Sequence, residues 1–288
     1  MYPDQFEYFR PKTLAEAAAL LKKHKGARVL AGGHSLLPAM KLRLASPKAL
    51  IDIGRIKGLS GIQARGTHLW IGATTVHADV AASPAVRKSC PVLAEAAGEI
   101  GDLQVRNRGT IGGSVAHADP AADYPTVLVA LDATIVAKGP KGERKIPAGK
   151  FFLDLFTTAL KPGEIVTSVL IPTGGKGVGG VYVKHGHPAS AYAVVGVAAI
   201  LEVKNGNCVR ASLAVGGATP NPVRASKAEA SLAGKRVDDA AIESAAREVG
   251  AAIRDPLSDG YASGEFRVHL ATVMAKRALQ TAAERARG

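Results

Sequence analysis

Hydrophobic and polar positions near the start of the chain switch between helix and strand spacing. Leu14, Ala17 and Leu21 recur with the period of one helix face, and Thr13-Leu-Ala-Glu16 at the head of this run has the form of a capping box. The pattern after them predicts a short buried strand over 28–31, a turn over 32–35, a helix over 36–44 and a strand over 50–53. This part of the chain therefore predicts β-α-β material with a glycine turn inside it.

The middle of the chain predicts a hairpin, then helices, then further strands. Apolar positions alternate over Ile62–Ala64 and Leu69–Ile71, on either side of the turn Gly66-Thr67. The stretch VRNRGTIGGS (105–114) is glycine-rich, has no apolar period and is expected to be a loop. The remaining pattern predicts helices over 75–82, over 91–100 and after Pro120, and strands near 133–138 and 164–171.

The last third of the chain changes in character after a glycine-rich segment. Residues 172–180 hold five glycines and one proline, which is typical of a linker. Asn205-Gly206 is a strong signal for a two-residue hairpin turn. The pattern predicts three strands, over 180–185, 191–204 and 208–215, and then helices near 224–234, 238–253 and 265–286.

These elements predict an α+β protein of two domains. The first covers 1–175, with subdomains of about 1–57 and 58–175. The second covers 176–288 and combines an antiparallel three-stranded sheet with a helical bundle.

Composition narrows the class of protein. Of the 288 residues 47% are hydrophobic, enough for a large core, yet no apolar run reaches the roughly 18 residues of a membrane helix, and the N-terminus does not resemble a signal peptide. The two cysteines, Cys90 and Cys208, lie far apart, which favours a reducing compartment and excludes an iron–sulfur or zinc site built from cysteines alone. The net charge of +13 favours an anionic partner, but lysine and arginine are dispersed along the chain, as on an ordinary solvated surface.

Two glycine pairs are the strongest candidates for chemistry. We name Ala31–Ser35 (AGGHS) the first corner and Thr110–Ser114 (TIGGS) the second corner. Consecutive glycines let neighbouring N–H groups point into one concavity that binds an anion, and the adjacent hydroxyls add donors. A diphosphate held between two corners that meet in space is the natural ligand. Neither corner is a Gly-x-Gly-x-x-Gly or Walker A loop, so a doubly wound NAD site is disfavoured.

The two corners, with AHADPAADYP after the second and FEYFRPKTLAEAAALL near the N-terminus, resemble the FAD-binding medium subunits of the molybdenum hydroxylases. The aerobic carbon monoxide dehydrogenase branch is similar in particular, and the resemblance covers essentially the whole chain. It implies a PCMH-type FAD-binding domain made of two α/β subdomains, followed by the C-terminal flavoprotein domain. It also implies noncovalent FAD, with the diphosphate between the corners.

The resemblance implies a set of cofactor-binding residues and no catalytic side chain. From the first corner and the strand before it they are Val29, Leu30, Ala31, Gly32, Gly33, His34 and Ser35; from the second corner they are Thr110, Ile111, Gly112, Gly113 and Ser114; the others are Ile100, Asp123, Ile165, Lys184 and Tyr192. Most relatives have Asn where this chain has Ser114, so the side-chain contact at that position differs from theirs.

Several of these residues have a simpler structural interpretation. Asp123 would bind the sugar end of FAD, or else be a charge at a helix start. Lys184 would lie near the isoalloxazine ring, or else be a solvent-facing strand residue. Tyr192 would pack against the ring, or else be a core residue at the start of a strand. Ile100 and Ile165 would form apolar walls of the site.

Histidines near these residues are candidate ligands. His34 could bind phosphate or carry covalent FAD, and the resemblance favours noncovalent FAD. His185 with His187, and His117 with Asp119, lack a third ligand at suitable spacing, so no metal site is expected.

The function that follows is electron transfer within a molybdenum hydroxylase complex. A small partner subunit with [2Fe–2S] clusters would deliver electrons to FAD, a large partner would carry the molybdenum cofactor, and an external acceptor would receive the electrons. The assembly expected is a dimer of heterotrimers, in the cytoplasm and at the inner face of the membrane through the complex. A self-sufficient FAD oxidase and a basic nucleic-acid-binding protein stay open as alternatives.

Overall fold

The computed structural model describes residues 2–288 and begins with a small parallel sheet. Its strand order is β1-β3-β2, and both pairs are parallel. The elements are β1 (Glu7–Phe9), α1 (Leu14–Lys23), β2 (Arg28–Leu30), α2 (Leu36–Lys41) and β3 (Ala49–Asp52). The hydroxyl of Thr13 accepts the amide of Glu16 at 3.1 Å, as the capping box predicts. The strand over 28–31 is not buried as expected, because β2 is an edge strand and its residues are partly or fully exposed.

A five-stranded antiparallel sheet follows, covered by short helices. The strand order is β4-β5-β10-β6-β7. The strands are β4 (Ile62–Arg65), β5 (His68–Gly72), β6 (Thr134–Gly139), β7 (Gly142–Pro147) and β10 (Ile165–Pro172), with a small hairpin of β8 (Phe152–Asp154) and β9 (Thr157–Thr158). The helices are α3 (His77–Ala82), α4 (Pro84–Ser89), α5 (Pro91–Gly98), α6 (Leu103–Arg106), α7 (Ile111–His117) and α8 (Asp123–Ala130). Every residue of α8 is buried, so this helix forms the middle of the core.

The prediction of a loop over 105–114 is wrong. The structure has α6 before the second corner, and α7 begins inside it, with Thr110 as N-cap accepting the amide of Gly113. A Cβ at Gly112 would lie 2.4 Å from the Cβ of Ala73, so the glycine allows α7 to pack against the chain that leaves β5. A helix this short, with two glycines on it, shows no apolar period in the sequence.

The C-terminal part is a sheet covered by helices. The sheet has four strands in sequential order, not the three predicted: β11 (Val178–Gly186), β12 (Ala193–Lys204), β13 (Asn207–Gly216) and the short β14 (Val223–Arg224). The helices are α9 (Ser226–Leu232), α10 (Asp239–Glu248) and α11 (Gly264–Arg287). The Asn205-Gly206 turn is confirmed, since both residues have positive φ between β12 and β13. Together, the separate sheets and helices of the chain confirm the predicted α+β class.

The predicted linker is shorter than expected. β11 already begins at Val178, so the last two glycines of 172–180 lie in a strand. A Cβ at Gly179 would lie 2.0 Å from the carbonyl oxygen of Ala282, which means that glycine is needed for close packing against α11.

One apolar cluster includes α8 together with Tyr182 and Ala198, so the core is continuous across the expected boundary at 175/176. That division into domains stays a prediction. No helix within residues 2–288 is both long and apolar enough to cross a membrane.

Candidate functional site

The first corner contacts the chain directly before the second corner. A Cβ built on Gly32 would lie 2.0 Å from the carbonyl oxygen of Arg108 and 2.8 Å from the Cα of Gly109, directly before the second corner. Only a glycine allows the two backbones to approach this closely. The expectation that these distant segments meet in space is confirmed by this contact.

The first corner carries amides that the protein leaves free. Within residues 2–288, the N–H groups of 32–35 donate to no protein acceptor. Gly33 has φ +76, which turns the chain so that neighbouring amides can converge. The imidazole Nδ1 of His34 lies 3.1 Å from the carbonyl oxygen of Gly32, and the ring itself is exposed. Four consecutive amides at one turn are therefore without a protein acceptor and available to an anionic ligand.

The second corner differs from this expectation. The amide of Ile111 donates to the carbonyl oxygen of Thr75 at 3.0 Å, and the amide of Gly112 donates to that of Ala73 at 2.8 Å. The amide of Gly113 is satisfied by the hydroxyl of the N-cap threonine at 3.1 Å. An amide nest at the second corner is therefore wrong, because α7 begins there and packs on the end of β5. What the second corner presents to solvent is the exposed Gly113 and the partly exposed Ser114, while Gly112 is buried.

Two arginines that the sequence analysis did not single out lie beside the corners. Arg106 donates through Nη1 to the carbonyl oxygens of Ile100 and Gly101, at 3.0 and 2.8 Å. In the part of the chain described, neither Arg106 nor Arg108 forms an ion pair with a carboxylate. Cations in this region that have no carboxylate partner add attraction for an anionic ligand. The sequence does indicate an excess of positive charge here, because no acidic residue occurs between Asp102 and Asp119.

His77 lies beneath the second corner. It is 4% exposed, and its amide donates to the carbonyl oxygen of Gly109 at 3.0 Å. A Cβ on Gly109 would come within 2.6 Å of Nε2 of His77, so ring and backbone are in close contact. Burial first, and then the positive charges of His34 and Arg106, lower the pKa of His77 to about 4.

This burial predicts an acid-sensitive contribution to stability. The folded-state pKa of His77 lies below its ordinary value of 6.5, so in mild acid the unfolded chain binds a proton at this position that the folded chain does not. We expect the free energy of unfolding to fall between pH 7.5 and 5 by on the order of 2 kcal/mol more in the wild type than in His77→Asn. Urea unfolding of both proteins at the two pH values measures the difference; equal losses would contradict the assignment.

A buried ion pair lies between α8 and β11. The Lys184 ammonium is 3.1 Å from Asp123, and the Tyr182 hydroxyl donates to the same carboxylate at 2.7 Å. Asp123 is 4% exposed. It is the first residue of α8, which agrees with its simpler interpretation as a charge at a helix start. Burial raises the pKa of Asp123, although Lys184 and Tyr182 act in the opposite direction. Whether the carboxylate also contacts a sugar stays a prediction.

Lys184 is not a solvent-facing strand residue. Besides Asp123, its ammonium donates to the carbonyl oxygens of Glu99 and Ala191, both at 2.8 Å. These contacts connect β11 to the end of α5 and to the turn before β12. The charge of Lys184 is largely balanced by Asp123, so its first structural effect is to hold these segments together. Its proximity to a ring stays a prediction.

Tyr192 is not a core residue. It is 41% exposed, directly before β12, and its hydroxyl lies near Ser35 of the first corner. Its backbone carbonyl accepts the amide of His187 at 2.7 Å. Burial and the charge of Asp119 raise the pKa of Tyr192, while the Ser35 hydroxyl acts against them. This tyrosine therefore brings the C-terminal part of the chain to the first corner.

The apolar residues expected around the site occupy different environments. Ile100 is partly exposed beside the carbonyls that Arg106 binds, and Leu30 lies against the first corner. Ile165 is buried with Ile51 and Ile53 in the core near the first sheet. Its role as a wall of the site stays a prediction, like those of the other residues named from the resemblance.

Comparison with known proteins identifies both parts of the chain. The family model described as "FAD binding domain in molybdopterin dehydrogenase" matches residues 4–174, and that described as "CO dehydrogenase flavoprotein C-terminal domain" matches 181–282. The chain is 41% identical over 284 residues to the carbon monoxide dehydrogenase medium chain of Hydrogenophaga pseudoflava, with 98% of each chain covered. It is 38% identical over 288 residues to that of Afipia carboxidovorans, with 100% of each covered. The solved carbon monoxide dehydrogenase from Hydrogenophaga pseudoflava, in a form lacking the Mo-pyranopterin moiety, superimposes with a TM-score of 0.96 at 42% identity over 99% of both chains.

Proposed function

The chain belongs to the FAD-binding medium subunits of the molybdenum hydroxylases, and on this basis we propose that it is the flavoprotein subunit of a carbon monoxide dehydrogenase type complex. In this role it binds FAD noncovalently and transfers electrons between a partner subunit and an external acceptor. No catalytic side chain is required of it, since the redox chemistry belongs to the cofactor.

The observation that carries this proposal is the first corner, whose four amides have no protein acceptor in the described part of the chain and whose Gly32 lies against the backbone of Arg108 and Gly109, directly before the second corner. The backbone of Arg108 forms this contact and Arg106 lies near His77, and within residues 2–288 neither arginine forms an ion pair with a carboxylate. A diphosphate supplies the acceptors that these amides lack and the negative charge that these cations lack. The residues present therefore fit the diphosphate of FAD.

When bound, FAD supplies two-electron oxidation and reduction. The chain's own residues hold and orient it. Free amides of the first corner bind phosphate, and Ser35 and Ser114 are placed to add hydroxyl donors. The Tyr192 hydroxyl lies near Ser35 of the first corner, and Lys184 holds the residue before Tyr192 through its hydrogen bond to the carbonyl oxygen of Ala191.

The chain needs partners for the rest of the electron path. Its two cysteines are both buried, and burial raises the pKa of Cys90 to about 12, so neither is suited to bind an iron–sulfur cluster. We propose a small subunit with [2Fe–2S] clusters and a large subunit with the molybdenum cofactor, assembled as a dimer of heterotrimers. The external acceptor would be a quinone, a cytochrome or NAD, and the complex would work in the cytoplasm at the inner face of the membrane.

The cofactor itself provides the test. Purified complex is expected to show flavin absorbance, and acid precipitation is expected to release the flavin into the supernatant as unmodified FAD. Flavin that stays with the precipitated chain would indicate a covalent bond, with His34 the first residue to examine. A preparation that contains no flavin and binds no added FAD would contradict the proposal.

Partner dependence separates this function from a self-sufficient FAD oxidase. The chain alone is expected not to oxidise the substrate of the complex, and it is expected to co-purify with two other polypeptides. Substrate oxidation by the isolated chain would favour the oxidase instead.

A further inference from the structure

Two unpartnered polar groups lie side by side beneath the second corner. Four buried side-chain nitrogen or oxygen atoms within residues 2–288 lack a hydrogen-bond partner, and two of them are Nδ1 of His77 and the hydroxyl of Tyr124. The ring centroids of these residues are 5.2 Å apart in an edge arrangement. His77 is 4% exposed and Tyr124 is fully buried.

Such groups are costly when nothing satisfies them. A buried donor or acceptor without a partner has lost its hydrogen bonds to water and has gained none in the protein. Native proteins therefore rarely contain such groups. The two groups form no hydrogen bond with each other, and the centroids of their rings are 5.2 Å apart, so a partner for both would have to be a small molecule between the rings. Buried water commonly fills this role between polar side chains.

The location of the pair gives the bridge a function. His77 holds the second corner through its amide bond to Gly109 and through the contact of its ring with that glycine. Gly109 in turn lies against Gly32 of the first corner. Tyr124 follows Asp123 at the start of α8. A bridged pair would therefore connect the surface beneath the corners to the helix that carries the buried ion pair.

We propose that one ordered water molecule joins Nδ1 of His77 to the hydroxyl of Tyr124, and that this bridged pair positions the two corners for the FAD diphosphate. The first part concerns the fold alone, while the second rests on the proposed function. His77 and Tyr124 are positioning residues, since their effect on the ligand passes through Gly109.

The sign of one stability change tests the bridge. With the water present, Tyr124→Phe removes a satisfied hydroxyl and deprives His77 of its bridge, so we expect the melting temperature of the full chain to fall by a few degrees. Without the water, the same substitution removes an unpaired buried hydroxyl, and the melting temperature would rise or stay unchanged. A crystal structure should also place a water about 3 Å from both atoms; a dry contact would overturn the proposal.

A conservative variant tests the positioning role. Asn in place of His77 keeps a polar group close to the position of Nδ1, whereas Leu keeps only bulk. At pH 7.5 we expect His77→Asn to bind FAD within about threefold of the wild type, and His77→Leu and Tyr124→Phe to bind it about tenfold more weakly. FAD titration followed by flavin fluorescence measures these affinities.

The outcomes separate the two proposals. A wild-type chain that binds no FAD contradicts the proposed function, and the melting temperatures then still decide whether the bridge exists. Wild-type binding with equal FAD affinity in all three variants overturns the positioning role. Equal weakening by Asn and Leu overturns the specific need for a polar group at Nδ1.

Discussion

Gly32→Ala is expected to abolish useful FAD binding while leaving most of the fold in place. The added methyl group would lie 2.0 Å from the carbonyl oxygen of Arg108, and that atom belongs to backbone that cannot rotate away. The corners must separate, and hydrogen bonds from the first corner to charged phosphate are then lost or stretched. Since each such bond contributes roughly 1.5–3 kcal/mol, we expect the dissociation constant for FAD to rise by about 100-fold or more.

Gly149→Ala is the matched control for this substitution. A Cβ at Gly149 meets no atom within 4 Å, and its φ is ordinary, so the same chemical change has no steric consequence there. FAD titrations of both variants, with circular dichroism to monitor folding, make the comparison. Folded Gly32→Ala protein with wild-type affinity for FAD would contradict the role of the contact at Gly32. Weakened FAD binding by Gly149→Ala would show that the assay does not report specifically on that contact.

Lys184→Met is expected to cause the largest loss of folding stability at the site. The substitution removes the cation beside Asp123 and leaves that carboxylate buried with only the Tyr182 hydroxyl. Breaking a buried pair from one side typically costs about 3–5 kcal/mol, because an uncompensated charge stays behind. Urea unfolding at pH 7 measures the loss, and a value below about 1 kcal/mol would contradict the structural role of the pair.

The pH dependence and a double variant identify the cause. Burial raises the pKa of Asp123, and loss of Lys184 raises it further, so stability is retained at low pH and lost as pH rises through the folded-state pKa. Lys184→Met should therefore be more destabilising at pH 7 than at pH 5. Adding Asp123→Asn removes the charge and should recover much of the loss; no recovery would point to lost packing or to the bonds with Glu99 and Ala191.

The sequence predicts those features that depend on neighbouring residues. The capping box at Thr13 and the turn at Asn205-Gly206 are local, and both occur in the structure as expected. The two corners were recognised because consecutive glycines with adjacent hydroxyls are unusual in themselves. The requirements of a diphosphate predict that the two segments meet in space, whereas the backbone contact at Gly32 is visible only in the structure.

Features that depend on distant partners could not be predicted in the same way. The amides of the second corner are occupied because the chain leaving β5 offers the carbonyls of Ala73 and Thr75, which no local pattern indicates. Asp123 and Lys184 are 61 residues apart, and each alone has a simple interpretation, as a charge at a helix start and as a solvent-facing strand residue. Only the fold shows that they neutralise each other in the interior.

The most direct test of the account is a crystal structure of the chain with FAD bound. We predict that the diphosphate lies at the first corner, with phosphate oxygens about 3 Å from amide nitrogens of residues 32–35 and with the second corner forming the opposite wall. A diphosphate bound elsewhere, with those four amides still without an acceptor, would contradict the central claim.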